Sequence, residues 1–473
     1  MKILLSGANG YIGKRLLPVL AKQGHQVICC IRDENRFSPP PSLKSNIETL
    51  EIDFLDPESV HKIPRNIDGA YYLIHSMSSA KDYSKLELLA GSHFRKGLSQ
   101  TNVEHVIYLS GIVNQNVLSD HLKSRKAVED ELARGSYNFT TLRAGIIIGS
   151  GSASFEIIRD LVEKLPLMVA PKWLNTRTQP IGIEAIINYL YRSLFNPAIY
   201  GRNIDIGGPD VLTYKEMLLG YAKVRKLNRW IITIPVMTPK LSSYWLYFVT
   251  STSYKLARAL VGSMKIEVVC RDNSANALLE GNPENYFSAL ERTFGEIADN
   301  QIISSWKDSL SSGRFENNIS DFIHVPTYGC LVDKRSEYID NRDTCLAKIW
   351  RIGGASGWYY ANWLWELRGF IDKIFGGVGL RRGRTDKVDI SVGDAIDFWR
   401  VLYANKQEGR LLLFAEMKLP GEAWLEFKIS GNKLHQTATF RPQGIGGRIY
   451  WYMVYPIHGL IFGNMLKRLC AEK

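Results

Sequence analysis

One glycine-rich turn near the start of the chain constrains its fold more than any other feature of the sequence. The run LLSGANGYIG places Gly7, Gly10 and Gly13 directly after an apolar strand and ahead of a helical stretch. Gly7 permits a tight turn, Gly10 lets the backbone approach a diphosphate, and Gly13 allows the helix to pack closely on the strand. A helix N-terminus also offers N–H groups and the positive end of its dipole to an anion. The run therefore predicts a nucleotide site, formed by Gly7, Asn9, Gly10, Tyr11, Ile12 and Gly13.

Apolar strand-like runs alternate with helical stretches in the N-terminal third of the chain. Strands are predicted over residues 3–5, 27–31, 48–52, 70–74, 105–109 and 139–148, and helices over 11–23, 57–63, 85–100 and 122–133. Continuous apolar strands separated by helices are typical of a parallel sheet that is covered on both faces. We therefore predict an α/β fold, with a doubly wound Rossmann domain over residues 1–230 and a small substrate-side subdomain attached to it.

The pattern of the sequence changes after about residue 320. A helical linker or substrate-side region is predicted over residues 231–320, and a second domain over 321–473. Between residues 423 and 429 apolar side chains occupy every second position, which is the period of an antiparallel strand with two unlike faces. An aromatic helical stretch over 357–377 precedes the strands, and a closing helix over 456–469 follows them. These features predict an α+β domain.

Charge and cysteine usage argue against several function classes. The net charge of +12 is divided evenly, with +6 in residues 1–320, +6 in residues 321–473 and no compact basic run. Such a surface argues against nucleic acid as a partner. The six cysteines lack the CxxC and Cys/His spacings of a metal site, and two of them are adjacent in an apolar run. This usage indicates reduced thiols in a cytoplasmic protein without a metal.

Two uncharged stretches bear on contact with membranes. Residues 241–254 span only 14 positions, and residues 449–466 span 18 but are interrupted by Pro456, His458 and Asn464. A membrane-spanning helix needs about 20 mainly apolar residues. We interpret both stretches as core or ligand-pocket elements, with peripheral attachment to a membrane interface as the alternative.

The ends of the second, third and fourth strands bear on the cofactor. An acidic residue after the second strand would bind the ribose 2′-hydroxyl of NAD, but this chain has Arg32 there, followed by Asp33. A guanidinium suits the 2′-phosphate of NADP, so NADP is favoured, and Asp33 keeps NAD open as the alternative. Four further cofactor contacts are predicted at the ends of the next two strands: Asp53, Phe54, His75 and Ser76. For His75, a packed or capping role is the alternative.

With these residues placed, the chain resembles the short-chain dehydrogenase/reductase superfamily. It is most similar to the atypical, extended-like branch that includes NmrA-like regulators and relatives of a complex I subunit. The matching motifs occur in the expected order over residues 1–230: SGANGYIG, AYYLIHSM, YLSGI, LRAGIIIGSGSASFE, TQPIGIEAI and DIGGPDVLTYKEM. Three further runs, GWYYANWLWELRGF, GVGLRRGR and GEAWLEF, are similar to bacterial NAD(P)-binding proteins that carry an uncharacterised second domain.

The resemblance implies a catalytic set that this sequence retains only in part. Active members place a Ser at the end of the fifth strand, which Ser110 matches, and a Tyr-x-x-x-Lys pair on the following helix. One register puts His121 and Arg125 at that pair. The other puts Leu122 and Lys126 there, and the tyrosine is absent from both. His121 is the candidate proton carrier, kept neutral by Arg125; the alternative is that His121 caps the helix and Arg125 positions the cofactor.

Arg143 is the other polar residue that the resemblance brings towards the cofactor. It lies at the end of the sixth strand, in the run LRAG, and is predicted to face the cofactor cleft. The alternative is a structural ion pair with Glu129 or Asp130, which lie on the preceding helix.

The second domain resembles the START-like helix-grip architecture, in which a curved sheet wraps a long helix around an apolar cavity. Its aromatic helical stretch is interpreted as core, with a ligand tunnel as the alternative; the residues concerned are Trp358, Tyr359, Tyr360, Trp363 and Trp365. Three arginines among the glycines of residues 379–384 are interpreted as a solvated loop, and a site for an anionic group is the alternative.

Together these features favour an NADP-dependent oxidoreductase that acts on an apolar or aromatic small molecule. Two alternatives stay open. One is a redox sensor or assembly factor that binds NADP without turnover, which the missing tyrosine motivates. The other is an enzyme similar to nucleoside-diphosphate-sugar epimerases, which rests on fold resemblance alone. The sequence leaves the substrate and the oligomeric state open.

Overall fold

A computed structural model of the protein describes residues 1–32, 37, 41–75, 83–114, 118–234, 261–298, 325, 330–374, 377, 379 and 389–471. The chain forms two compact units, residues 1–311 and 312–473. The finer division predicted at residue 230 stays a prediction. The stretch 241–254, interpreted above as a core or pocket element, lies outside the described residues.

The first unit is built on a parallel sheet of seven strands. In chain order these are β1 (Lys2–Ser6), β2 (Gln26–Ile31), β3 (Ile47–Glu51), β4 (Gly69–Tyr72), β5 (His105–Gly111), β6 (Asn138–Ala144) and β11 (Asn203–Ile206). The strand order is β3-β2-β1-β4-β5-β6-β11, and every neighbouring pair is parallel. The order changes direction between β1 and β4, which places a ligand crevice outside the carboxyl ends of these strands. The predicted Rossmann fold is confirmed.

Helices cover both faces of this sheet because successive residues of a strand point to opposite sides. α1 (Gly13–Lys22) and α5 (Ile183–Ser193) contribute to the core on one face. α2 (Tyr83–Leu98) and α3 (Asp120–Leu132) contribute to the core on the other. The helix predicted over residues 57–63 is instead a short 3-10 turn, Ser59–Lys62.

The strand predicted over residues 139–148 is divided in the structure. β6 ends at Ala144, and the chain then forms β7 (Ile147–Ile148), which pairs with β10 (Ile181–Gly182) outside the main sheet. Gly145 separates them, and a Cβ there would lie 3.2 Å from the backbone oxygen of Gln179. This close approach of a second backbone ends the ladder of β6.

The rest of the first unit packs around a core of its own, to which α4, α6 and α8 contribute. Its elements are α4 (Ala153–Lys164), β8 (Leu167–Pro171), β9 (Arg177–Thr178), β12 (Leu212–Thr213), α6 (Tyr214–Val224), β13 (Trp230–Ile234) and α8 (Tyr286–Ala298). The short helix α7 (Ser274–Leu278) packs instead against the core of the main sheet, through Ala275. A capping box between Thr213 and Glu216 begins α6. The substrate-side role of this region stays a prediction.

The second unit contains a six-stranded antiparallel sheet. Its elements are β14 (Leu331–Tyr338), α9 (Arg342–Ile349), α10 (Asn362–Ile374), β15 (Ala395–Ile396), β16 (Trp399–Asn405), β17 (Arg410–Ala415), β18 (Gly421–Ser430), β19 (Lys433–Pro442) and α11 (Gly444–Cys470). The strand order is β14-β19-β18-β17-β16-β15, with antiparallel pairing throughout. The predicted α+β domain is confirmed, and its likeness to START-like folds stays a prediction.

The closing helix is longer than the sequence pattern indicates. α11 begins at Gly444 rather than at Pro456, which lies inside the helix. Proline lacks the backbone N–H that a helix interior uses, so it usually marks a helix boundary, and this explains the error. The C-terminal part of α11 is held in the core by Phe462, Met465 and Leu469. Within the described part of the chain, no helix is long and apolar enough to cross a membrane.

The aromatic helical stretch contributes mainly to the core. The rings of Trp358 and Trp365 stack with centroids 4.4 Å apart, and both side chains are buried. Trp358 donates its indole N–H to Asp397 at 2.6 Å. Trp363 differs, because 63% of it is exposed. The interpretation as core is therefore confirmed for Trp358 and Trp365 and wrong for Trp363.

A buried ion pair connects β16 with the residue that follows β17. Arg400 and Glu416 are both fully buried, and an Nη2–Oε1 distance of 3.0 Å joins them. A second contact, from Arg400 Nε to Glu416 Oε1, is also 3.0 Å long. The guanidinium further donates to the carbonyl oxygen of Gly393 at 2.6 Å. The two charges thus neutralise each other inside the core of the second unit.

Candidate functional site

The glycine-rich turn between β1 and α1 leaves no room for side chains at its key positions. Gly7 has a φ of +72°, and a Cβ there would lie 2.8 Å from the carbonyl oxygen of Leu73. A Cβ on Gly13 would lie 2.2 Å from the carbonyl oxygen of Gly7. α1 begins with no side-chain cap at Ile12 and no acidic residue in its first turn. Because such a helix end attracts anions, the turn fits a diphosphate.

Asn9, Gly10 and Ile12 lie in this turn, and their predicted cofactor contacts stay predictions. The side chain of Tyr11 is directed elsewhere: the guanidinium carbon of Arg15 lies 4.2 Å from its ring centroid. A Cβ on Gly149 would lie 2.6 Å from the Tyr11 hydroxyl oxygen, and burial raises the pKa of that hydroxyl. This packing leaves the backbone of Tyr11, rather than its ring, for the predicted contact.

The three residues predicted at the adenosine half differ in exposure. Arg32 directly follows β2 and is exposed, whereas Asp33 lies outside the described residues. Asp53 is partly buried and accepts a hydrogen bond from a backbone N–H two residues ahead, at 3.0 Å. Phe54 is only 5% exposed and packs against Phe94, with ring centroids 5.5 Å apart. The side chain of Phe54 is therefore part of the core, which corrects its predicted contact with the adenine.

β5 and α3 place Ser110 and His121 near the carboxyl edge of the sheet. Ser110 is the last residue but one of β5, and it is buried. The hydroxyl of Ser119 caps α3 by accepting a hydrogen bond from the Leu122 N–H at 3.3 Å. Since Ser119 supplies the cap, the alternative in which His121 caps the helix is wrong. His121 instead lies in the first turn of α3, with its ring towards the end of β4.

The structure distinguishes the two registers of the lost Tyr-x-x-x-Lys pair. Arg125 is buried, donates a hydrogen bond to the Leu109 carbonyl and lies 5.1 Å from the Tyr108 ring centroid. Lys126 is 39% exposed and forms ion pairs with Glu129 and Asp130. The register with His121 and Arg125 is therefore the one at the end of β5.

A buried carboxylate completes this group of side chains. Glu87, on α2, accepts a hydrogen bond from His75 Nδ1 at 3.0 Å and one from the Ser124 hydroxyl at 2.5 Å. The rings of His75 and His121 lie next to each other, with centroids 4.9 Å apart. Glu87, His75 and His121 thus form a row from the interior to the carboxyl edge of the sheet, which we call the acid–imidazole row. The other predicted residue here, Ser76, lies outside the described residues.

Burial and charge set the protonation of this row. Burial alone would raise the pKa of Glu87, but the hydrogen bond from His75 and the charge of Arg125 outweigh it and lower that pKa to about 2. Burial, then His75 and Arg125, lower the pKa of His121 from 6.5 to about 3. The low pKa agrees with the neutral state predicted for His121, and burial contributes more to it than Arg125 does. At neutral pH the row holds one carboxylate and neutral imidazoles.

Arg143 does not face the cofactor cleft. Its Nε and Nη2 donate to the two carboxylate oxygens of Glu129 at 2.9 and 2.6 Å, and both side chains are almost fully buried. This bidentate pairing neutralises the charge of Arg143 inside the protein. The predicted cofactor contact is therefore wrong, and the structural ion pair is correct.

Sequence reasoning missed Glu87. Its signal is a carboxylate on the helix face that also carries Ala90 and Phe94, three and seven residues on, both of which are buried. That spacing belongs to one face of a helix, so a Glu there is expected to be buried and paired. In the described part of the chain, no group of three or more His, Cys, Asp or Glu side chains is placed to hold a metal ion.

Two protein-family models match separate parts of the chain. Residues 7–163 match the family described as NAD(P)H-binding, and residues 330–465 match the protein family of unknown function DUF2867. The first match contains the glycine-rich turn and the acid–imidazole row. The second covers the whole antiparallel sheet and most of α11.

Two curated relatives are versions of the NADH dehydrogenase (ubiquinone) 1 alpha subcomplex subunit 9, mitochondrial. The protein from Arabidopsis thaliana is 22% identical over 240 residues, which cover 48% of this chain and 58% of the relative. The protein from Dictyostelium discoideum is 23% identical over 231 residues, which cover 47% of this chain and 64% of the relative. This chain therefore spans less than two thirds of either relative.

Solved structures show the same fold in the first part of the chain. A nucleoside-diphosphate-sugar epimerase from Staphylococcus aureus is 15% identical, with a TM-score of 0.50, and covers 62% of this chain and 100% of its own. A triphenylmethane reductase from Citrobacter sp. is 14% identical, with a TM-score of 0.51 and the same two coverages. These likenesses show the fold of the first unit, and the family matches agree with the prediction of an NAD(P)-binding domain that is followed by an uncharacterised second domain.

Proposed function

We propose that this protein is an NAD(P)-dependent oxidoreductase that acts on an apolar or aromatic small molecule. The premise is that its first unit contains an NAD(P)-binding Rossmann domain of the short-chain dehydrogenase/reductase type. The observation that carries the proposal is the acid–imidazole row, which joins Glu87 to His75 and His121 near the carboxyl edge of the sheet. Groups of buried titratable side chains with displaced pKa values are typical of sites that transfer protons.

The residues that would hold the cofactor lie on neighbouring strand ends. The turn from Gly7 to Gly13 would bind the diphosphate, and Arg32 would pair with the 2′-phosphate of NADP. NADP is accordingly the cofactor that we favour over NAD. When bound, the nicotinamide ring supplies or accepts the hydride. The protein's own residues must then provide or remove one proton at the substrate oxygen.

His121 is the residue that we assign to this proton. In the oxidising direction its neutral imidazole accepts the proton of a substrate hydroxyl, and in the reducing direction the protonated ring returns it. Since Glu87 is ionised, it accepts a hydrogen bond from the Nδ1–H group of His75, which makes the other ring nitrogen of His75 a hydrogen-bond acceptor. The carboxylate also raises the proton affinity of His121 against the effect of burial. His75 is a positioning residue, and its side chain, 28% exposed, connects the row with solvent.

The substrate class is inferred from the second unit. Its element order of one strand, two helices, five strands and a closing helix supports the START-like likeness, and folds of that kind enclose apolar ligands. Its core is rich in aromatic side chains, among them Trp350, Trp358, Trp365 and Trp399. We therefore favour an apolar or aromatic substrate.

A second candidate function is supported by the missing tyrosine. The curated relatives are named as subunits of an NADH dehydrogenase, so this chain would bind the nucleotide and serve as a redox sensor or assembly factor within a larger complex. The epimerase alternative rests on fold likeness alone and receives no such support.

Steady-state assays separate these functions. The full chain is tested with NADPH and NADH for turnover of quinones, aldehydes and ketones, while calorimetry measures the affinity for both nucleotides. We expect turnover with NADPH, and we expect His121→Gln to lower kcat by about a hundredfold or more without changing nucleotide affinity. The control is His61→Gln, at an exposed histidine on the turn after β3, which should leave kcat unchanged.

Two outcomes would contradict the proposal. Wild-type turnover that survives His121→Gln would remove His121 from the chemistry. Tight nucleotide binding without turnover on the panel, together with a partner that co-purifies only when nucleotide is present, would favour the sensor or assembly factor.

A further inference from the structure

One side of α11 exposes a run of large apolar side chains. All of them lie in the N-terminal part of the helix, between residues 445 and 460. We call this set the apolar face of α11, and its members are Ile445, Ile449, Tyr452, Met453, Tyr455, Ile457 and Leu460. The exposed fraction is 78% at Ile445 and 66% at Tyr452. Single exposed apolar residues are ordinary, but a contiguous group marks an interaction surface.

The rest of the helix is anchored. From residue 461 onwards, Ile461, Phe462, Met465, Leu466 and Leu469 are buried in the core of the second unit. α10 packs beside this part, with the Trp365 and Phe462 ring centroids 6.2 Å apart. The apolar face therefore belongs to a helix that the fold holds in place.

The charges of α11 are all of one sign. Its 27 residues include Arg448, Lys467 and Arg468 but no Asp or Glu. Arg448 is exposed and lies one turn from Ile445 and Tyr452, so a cation adjoins the apolar face itself. An apolar face with cations and aromatic rings beside it is the composition of helices that lie in the interface of an anionic membrane.

We propose that the apolar face of α11 binds the surface of an anionic phospholipid bilayer. The helix lies on the membrane rather than across it, because no described helix is long and apolar enough to span one. Its apolar side chains enter the boundary between headgroups and acyl chains, while Arg448 contacts phosphate groups. This inference is independent of the proposed catalysis.

A second copy of the chain is a poorer occupant of the same face. In a twofold-symmetric dimer the same patch meets itself, so two copies of Arg448 would approach each other. α11 has no carboxylate to neutralise them. A bilayer that contains anionic lipid supplies the opposite charge over the whole face.

Vesicle flotation with the full chain tests the proposal. The probes are phosphatidylcholine vesicles and vesicles that also contain phosphatidylglycerol, each at low and high salt. We expect binding to the anionic vesicles, weakened by salt, and a loss of about tenfold in Tyr452→Glu, since a carboxylate there opposes both burial and the surface potential. The matched control is Tyr338→Glu at the end of β14, where the tyrosine is 61% exposed and binding should be unchanged.

The readouts also include the melting temperature, which should equal that of the wild type in both variants, and the molar mass in solution. Three results would overturn the proposal. In the first, Tyr452→Glu binds vesicles as well as the wild type does. In the second, binding of the wild type does not depend on phosphatidylglycerol or on salt. In the third, the wild type binds no vesicles and forms a dimer that Tyr452→Glu dissociates, which would assign the face to a second copy.

Discussion

The two units of this protein each bury a carboxylate, but with different partners. In the second unit Glu416 pairs with Arg400, and both are fully buried. In the first unit Glu87 pairs with His75, whose ring adjoins His121 near the edge of the sheet. The Arg400–Glu416 arrangement is closed, because each charge is neutralised by the other. The Glu87–His75 arrangement is open, because it leads to the imidazole of His121, which can gain and lose a proton. Buried charge alone therefore does not indicate function; the titratable partner does.

The largest effect is expected from removing one member of the closed pair, Arg400–Glu416. Glu416→Ala leaves the Arg400 guanidinium buried without its carboxylate, and we expect the free energy of unfolding of the second unit to fall by about 3–5 kcal/mol. Urea unfolding followed by tryptophan fluorescence measures this. Glu426→Ala is the control, because its pair with Arg410 is 23–27% exposed and should contribute about 1 kcal/mol or less. Equal losses in both variants would show that the buried pair is no more than a surface contact.

Glu87→Gln tests the open arrangement. The amide keeps the shape but removes the charge that supports protonation of His121, and we expect kcat to fall by about thirtyfold, or about 2 kcal/mol in the barrier. The acidic limb of the kcat profile in the oxidising direction should also move to lower pH, since the carboxylate raises the pKa of His121.

The control for this variant is Glu104→Gln, at an exposed carboxylate that accepts a hydrogen bond from Tyr200 at 2.9 Å. It should leave kcat and its pH profile unchanged. A kcat that falls in Glu87→Gln with an unmoved pH profile would indicate loss of structure rather than of charge.

The smallest effect that we expect is a pH dependence of stability that arises from His121. Its pKa is about 3 in the folded protein and about 6.5 in an unfolded chain. Between these values the unfolded state binds more protons, so the free energy of unfolding rises with pH and is lost as the pH falls through this window. From pH 7 to pH 5 we expect wild type to lose about 1.9 kcal/mol relative to His121→Gln.

Urea unfolding of both proteins at pH 5, 6 and 7 checks this expectation about the histidine. A difference that stays constant over this range would contradict the neutral, buried state of His121.

Much of the fold and part of the site could be predicted because their signals are local. The glycine-rich turn lies within seven residues of sequence, and the strand and helix patterns that surround it are strongly periodic. The resemblance placed His121 and Arg125 one turn apart on the helix after β5, with Leu122 and Lys126 as the alternative pair. These features depend on neighbours in the sequence, so no knowledge of the tertiary structure is needed.

The parts that could not be predicted depend on contacts between distant elements. Glu87 is flanked by Leu86, Leu88 and Leu89, which are 36–41% exposed, so the hydrophobicity of single residues predicts burial of the wrong side chains. The helical spacing indicates that Glu87 is buried, but its pairing with His75 depends on a contact between distant elements. Arg143 reaches Glu129 only because β6 and α3 pack together, and the sequence left both of its roles open. The start of α11 was predicted wrongly for the opposite reason. Pro456 is a strong local signal for a helix boundary, but the helix continues through it from Gly444.

Pro456 has a mechanical consequence for α11. A proline has no N–H to donate to the carbonyl of Tyr452 one turn earlier, so one rung of the helix is missing between its anchored and exposed parts. A helix is most readily bent where a rung is absent. The core nevertheless holds the helix on both sides of this gap, since Trp451 is 5% exposed and its ring centroid lies 5.7 Å from that of Phe440, while Met465 and Leu469 are buried. The missing rung therefore lets the helix adjust its curvature between two fixed points.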